Sequence, residues 1–163
     1  MTNKIIGIQG DKLDKINISS DTSIFLAHEA QKLGYKIFYY TPSNLSIIKN
    51  KTYANGVFVK LNYERKKFYK IYKKQTIEVE NLKFILIRQD PPFNSEYLIT
   101  TLILDDLKKT RVINNPVAIR NVSEKLYSKK FIKYMPDTIF SNNIEEVKKS
   151  VSYTHLTLPT NGT

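Results

Sequence analysis

Three short apolar runs, separated by helix-length segments, constrain this chain most. Lys4-Ile5-Ile6-Gly7-Ile8-Gln9 closes on Gly10, and Lys36 to Thr41 (KIFYYT) closes on Pro42. Lys83 to Arg88 (KFILIR) ends at Gln89-Asp90-Pro91-Pro92-Phe93. Short, non-alternating apolar runs suit strands covered on both faces, as in a parallel sheet. Between the first two, Asp21 or Ser20 can cap a helix whose apolar face is Ile24, Phe25, Ala27 and Leu33, stopped by Gly34. After the third, Asn94 caps a helix with Leu98, Thr101, Leu102 and Asp105 at helical spacing. Arg111 to Asn114 then reads as a fourth strand, broken by Asn115-Pro116. This βαβ order predicts an α/β fold with a parallel sheet and helices packed on it.

Two stretches depart from that rhythm. Val57, Val59, Leu61 and Tyr63 alternate with Phe58, Lys60 and Asn62, and a second extended stretch runs from about Phe68 to Tyr72. The pattern predicts a β-hairpin inserted between the second and third main strands. Further on, Glu124-Lys125-Leu126 reads as a short helical segment and Ile139-Phe140 as a strand. Ser141 is the expected cap of a last helix carrying Ile144, Val147 and Val151. Residues 151–163 (VSYTHLTLPTNGT) carry no charge, whereas the rest of the chain holds 26 basic and 15 acidic side chains. That break marks the tail as non-native to the preceding frame.

Composition excludes several chemistries. Cys is 0, which removes disulfides and thiolate catalysis, and two histidines, His28 and His155, cannot build a His-rich metal site. His28 reads as a partly exposed helix residue beside Glu29, and neither histidine is given a role. No apolar stretch is long enough for a membrane span, and the N-terminus lacks a signal-peptide pattern, so a cytoplasmic setting is expected. The net charge of +11 invites a nucleic-acid reading. Yet only Arg65, Arg88, Arg111 and Arg120 are arginines, and lysine is mostly a solvated point charge. The segment Lys60–Lys74 concentrates the question, because its basic residues interleave with Tyr63, Phe68, Tyr69 and Tyr72. Single-strand binding uses that mixture, but so does a hairpin with one packed aromatic face and one solvated lysine face. The second reading is preferred, with a basic single-stranded nucleic-acid-binding module as the alternative.

The strongest candidate site is Arg88-Gln89-Asp90-Pro91-Pro92-Phe93. Ligands of open α/β sheets gather beyond the carboxyl ends of the strands, and a guanidinium there can grip a carboxylate or phosphate. The residues alone leave a second reading open, an Arg88–Asp90 ion pair that ties down a crossover loop.

This segment resembles the signature of bacterial glutathione synthetases. Asp21-Thr22-Ser23 with His28-Glu29-Ala30-Gln31-Lys32-Leu33-Gly34-Tyr35 is similar to that family's first helix, and Tyr39-Tyr40-Thr41-Pro42 with Asn44-Leu45 to the stretch after it. Ile113-Asn114-Asn115-Pro116, Ile119-Arg120-Asn121 and Glu124-Lys125-Leu126 resemble the domain's closing segments. The resemblance implies an ATP-grasp ligase joining γ-glutamylcysteine to glycine through an acyl-phosphate, with ATP and Mg²⁺, and commonly tetrameric. It implies a Rossmann-like substrate-binding domain over residues 1–120 and the start of an ATP-grasp domain over 121–150. On the matching positions Arg88 would bind a substrate carboxylate, Asp90 would shape its loop, and Ser23 would add hydroxyl or backbone contacts. Lys125 would reach the nucleotide phosphates. A ligase for another dipeptide-like acid is the neighbouring alternative.

Two departures from the family pattern stand out. Its first strand-end motif has Asp followed by Pro, whereas Asp11 is followed here by Lys12. Its glycine-rich ATP loop is expected near Val147, yet the chain has 5 Gly, none between Gly56 and Gly162. Metal ligands are expected still further on. The chain therefore reads as an N-terminal fragment, inactive alone.

Overall fold

A computed structural model describes residues 4–63, 67–123 and 125–156, without the side chains of 152–156. Glu64, Arg65 and Lys66 of the basic segment, Glu124, and residues 157–163 lie outside the described residues, as does the side chain of His155. The chain divides into two units, Met1–Asn121 and Val122–Thr163.

The first unit is a mixed α/β layer built on a seven-stranded sheet. Strands β1 (Ile5–Gln9), β2 (Lys36–Tyr40), β6 (Phe84–Ile87) and β7 (Arg111–Ile113) run parallel in the order β2-β1-β6-β7. Helix α1 (Thr22–Lys32) crosses from β1 to β2, and α2 (Ser95–Asp105) from β6 to β7. The remaining strands β3 (Leu45–Ile48), β4 (Lys51–Leu61) and β5 (Tyr69–Glu78) are antiparallel. β4 pairs directly with β2, so the sheet is mixed rather than purely parallel. The sequence pattern missed β3, because its residues are too exposed to leave a burial signal.

β2 explains why a continuous apolar run was needed. Ile37 and Tyr39 point into one core with Ile6, Ile8, Ile24, Ala27 and Val59, while Phe38 and Tyr40 enter the other with Phe58, Ile85, Ile87 and Leu104. Helices thus cover both faces. In α1 the Asp21 carboxylate accepts the Ile24 N–H at 2.8 Å, and the helix stops as Gly34 turns to φ +83°, a region open to glycine. Gly34 N–H bonds the Gln31 carbonyl. The expected apolar face of α1 is only partly right. Ile24 and Ala27 are buried along with Ser23, but Phe25 and Leu33 are exposed. In α2, Asn94 caps as expected, whereas Leu98 and Leu102 face outward and Thr100, Thr101 and Leu104 inward. The threonines satisfy their hydroxyls on Tyr97 and Leu98 carbonyls, so a polar residue can take a core position.

The basic stretch also resolves. Phe68 is buried beside partly buried Tyr63 and Tyr69, but Tyr72 is exposed, so the expected aromatic face packs only in part; Lys60, Lys67, Lys70, Lys73 and Lys74 stand exposed.

In the second unit a 3₁₀ segment, Leu126–Tyr134, follows Lys125. Residues Ile139-Phe140 form no strand. α3 (Pro116–Asn121) closes the first unit, and α4 (Ile144–Leu156) belongs to the second. The residue at the start of α4 is Asn143, whose side chain accepts the Glu145 N–H at 3.0 Å; Ser141 sits two residues earlier, accepting from the Asn143 N–H. The helix runs on through Val151 despite the change of composition, since extending a formed helix costs far less than nucleating one.

No helix among the described residues is long and apolar enough to cross a membrane.

Candidate functional site

The parallel strands β1, β2 and β6 all end at one edge of the sheet, and the segments that leave them converge there. β1 is followed by Gly10 and Asp11, β6 by Arg88, Gln89 and Asp90, and α1 begins beside both with Thr22 and Ser23. Arg88 donates from Nε to Ser23 Oγ at 2.8 Å and from Nη2 to Thr22 Oγ1 at 2.7 Å. Its backbone N–H bonds the Gln9 carbonyl at 2.7 Å, extending the β1–β6 ladder by one residue. Ser23 is buried while Arg88 stays exposed, so the hydroxyl anchors the guanidinium from beneath.

These residues line a cavity of ≈ 250 Å³ with Asp11, Lys15, Asn17, Asp21, Tyr39 and Asp90. Charges of both signs meet there, Arg88 and Lys15 against three carboxylates. Arg88 and Asp90 form no ion pair, because Asp90 is held through its backbone instead: its N–H donates to Asp11 Oδ2 at 2.9 Å. The ion-pair reading of the loop is therefore set aside. The Gln9 side-chain amide adds a second stitch, donating to Gln89 Oε1.

Tyr39 was not singled out from sequence. Its phenol donates to the Asp11 carbonyl at 2.6 Å. Burial, reinforced by the carboxylates of Asp21, Asp11 and Asp90, pushes its pKa well above the usual tyrosine range, so the group stays a donor. Gly10 makes this contact possible: a Cβ there would lie 2.3 Å from the Tyr39 hydroxyl. Tyr97 of α2 feels the same surroundings. Burial raises its pKa, Arg88 opposes that, and Asp11 and Asp90 add to it.

Of the residues expected to act, Arg88, Ser23 and Asp90 line one cavity. Lys125 belongs to the other unit, where it precedes the 3₁₀ segment and is exposed. Thr22, Asp11, Lys15 and Tyr39 were missed. Thr22 had a signal in its adjacency to Ser23 at a helix start, and Asp11 in its place at a strand end; Tyr39 looked like one more core aromatic. Lys12, where the family pattern has proline, holds φ −59°, within proline's range. Among the described residues no group of three His, Asp or Glu side chains is placed to hold a metal ion, and none forms a glycine-rich phosphate loop.

Comparison with known proteins matches residues 5–120 to the family described as "Prokaryotic glutathione synthetase, N-terminal domain". The chain is 36% identical over 143 residues to glutathione synthetase of Mesorhizobium japonicum, covering 87% of this chain and 46% of that protein. It is 35% identical over 146 residues to the enzyme of Buchnera aphidicola subsp. Acyrthosiphon pisum, covering 88% and 46%. For Agrobacterium fabrum the values are 32% over 147 residues, covering 90% and 46%. The chain spans under half the length of these relatives.

Proposed function

Since this chain belongs to the prokaryotic glutathione synthetase N-terminal domain family, we propose that it serves glutathione biosynthesis as the peptide-binding domain of an ATP-dependent ligase. The reaction joins γ-glutamylcysteine to glycine, and the Arg88 cavity holds the γ-glutamylcysteine. The carrying observation is a guanidinium fixed by Ser23 and Thr22 at the mouth of a cavity that also presents three carboxylates. The γ-glutamyl head is an amino acid, with a carboxylate and an ammonium side by side. Arg88 suits the carboxylate through charge-assisted hydrogen bonds. Asp90, fixed by its backbone, suits the ammonium, and Ser23 orients the guanidinium. The bound peptide is thereby oriented with its far carboxyl group free for activation.

ATP supplies the phosphoryl group that activates that carboxyl. In this chain only Lys125 is assigned to the nucleotide, as a charge for its phosphates. The family match ends at residue 120 and the structural division falls after Asn121. That agreement supports a substrate-binding domain over 1–120 and the start of an ATP-grasp domain over 121–150; the cytoplasmic homo-oligomer is carried over from the family resemblance alone.

Kinetics test the proposal. In a full-length ligase carrying this domain, Arg88→Ala raises the KM for γ-glutamylcysteine and leaves that for ATP nearly unchanged. Unchanged peptide kinetics would remove Arg88 from the site. The 163-residue chain itself, given ATP, γ-glutamylcysteine and glycine, forms no glutathione.

A further inference from the structure

The position of Arg88 is set by more than the hydroxyls that hold its guanidinium. Its loop hangs from β1 by a chain of three contacts. Tyr39, deep in β2, donates to the Asp11 carbonyl at 2.6 Å. The Asp11 carboxylate accepts the Asp90 N–H at 2.9 Å. Arg88 N–H donates to the Gln9 carbonyl at 2.7 Å. Tyr39 itself cannot wander, being 4% exposed and packed in the core, and Gly10 leaves the room its hydroxyl needs.

We infer that Tyr39 is a positioning residue: through the Asp11 carbonyl it sets the loop after β1, and through the Asp11 carboxylate it sets the Asp90 loop and so the place of Arg88. This rests on the reading of the Arg88 cavity as the peptide site, yet it makes a claim that holds without any ligand. The chain of contacts runs from core to loop, not the reverse. Tyr39 also lines a larger cavity of ≈ 470 Å³, beside Lys12, Asn44, Asn55 and Lys74. High tyrosine basicity keeps the donor protonated across the physiological range, so the contact does not switch with pH.

Tyr39→Phe tests the inference, because it removes the hydroxyl and keeps the ring. Amide hydrogen exchange of the full chain is the direct readout. The Asp90 amide exchanges faster in Tyr39→Phe and in Asp11→Ala, and regains protection in Asp11→Asn, whose side-chain oxygen can still accept. Affinity for γ-glutamylcysteine falls roughly tenfold in Tyr39→Phe, the scale of one neutral hydrogen bond. The Tyr39→Phe, Asp11→Ala double variant loses less than the product of the single losses, because both act through one loop. Wild-type exchange at Asp90 in Tyr39→Phe would overturn the inference. If Tyr39→Phe does not fold, Gly10→Ala displaces the Tyr39 hydroxyl instead, and unchanged Asp90 exchange there overturns it equally. Should the unsubstituted chain bind no γ-glutamylcysteine while Asp90 exchange responds as stated, the positioning stands and the peptide-site reading falls.

Discussion

Arg88 meets its surroundings at three points, two hydroxyls and one backbone carbonyl. Arg88→Ala removes the charge-assisted contact to the peptide, costing about 2–3 kcal/mol of binding, which calorimetry resolves. Gly10→Ala acts on the fold instead. Its Cβ would meet the Tyr39 hydroxyl and ring, neither of which can retreat from the core, so urea unfolding should register a loss of about 1–3 kcal/mol. At this scale the sequence was legible where a residue type is unusual for its place. An arginine at a strand end and a serine at a helix start could be seen as candidates. Tyr39 could not, because its ring packs like any core aromatic and only the direction of its hydroxyl reveals the contact.

Helix starts and turns behave more locally, and most were readable. Asp21 and Asn94 were both expected caps, since a short acceptor side chain before an apolar-periodic stretch satisfies orphan N–H groups. Asp21→Ala should cost about 1 kcal/mol in chemical denaturation, and Asp21→Asn much less. Lys12→Pro should be tolerated or stabilising, by up to about 1 kcal/mol, because Lys12 already holds a proline-like φ. The Glu80 carboxylate accepts the Lys108 and Lys109 N–H groups, and those bonds hold its pKa below the usual range. A depressed carboxylate stabilises above its unfolded pKa and loses that contribution as pH falls through its folded one. Stability should therefore decline on acidification below the ordinary carboxylate range, and Glu80→Gln should flatten that decline. The helix faces were the least legible elements. Alternating apolar and polar spacing cannot tell which side of α2 packs when threonines satisfy themselves on the preceding turn.

For the whole molecule, the βαβ order dictated the parallel centre of the sheet, and that centre places the site at the carboxyl edge of β1 and β6. What the order could not give was how the inserted hairpin joins the sheet, with β4 pairing antiparallel to β2 and β5, which carries most of the basic stretch, pairing with β4. The +11 charge is spread over exposed lysines such as Lys60, Lys70 and Lys73. Single-stranded DNA should bind only weakly at physiological salt, with the steep salt dependence of nonspecific contacts. Both cores lie within residues 5–119, so a chain ending at Asn121 should unfold cooperatively on its own in urea. The claim that the Arg88 cavity receives the peptide is tested most directly by a ¹⁵N NMR titration of the chain with γ-glutamylcysteine. The amides of Thr22, Ser23, Arg88 and Asp90 should shift saturably, and Arg88→Ala should abolish the response; shifts confined to the basic strands, or none at all, would contradict it.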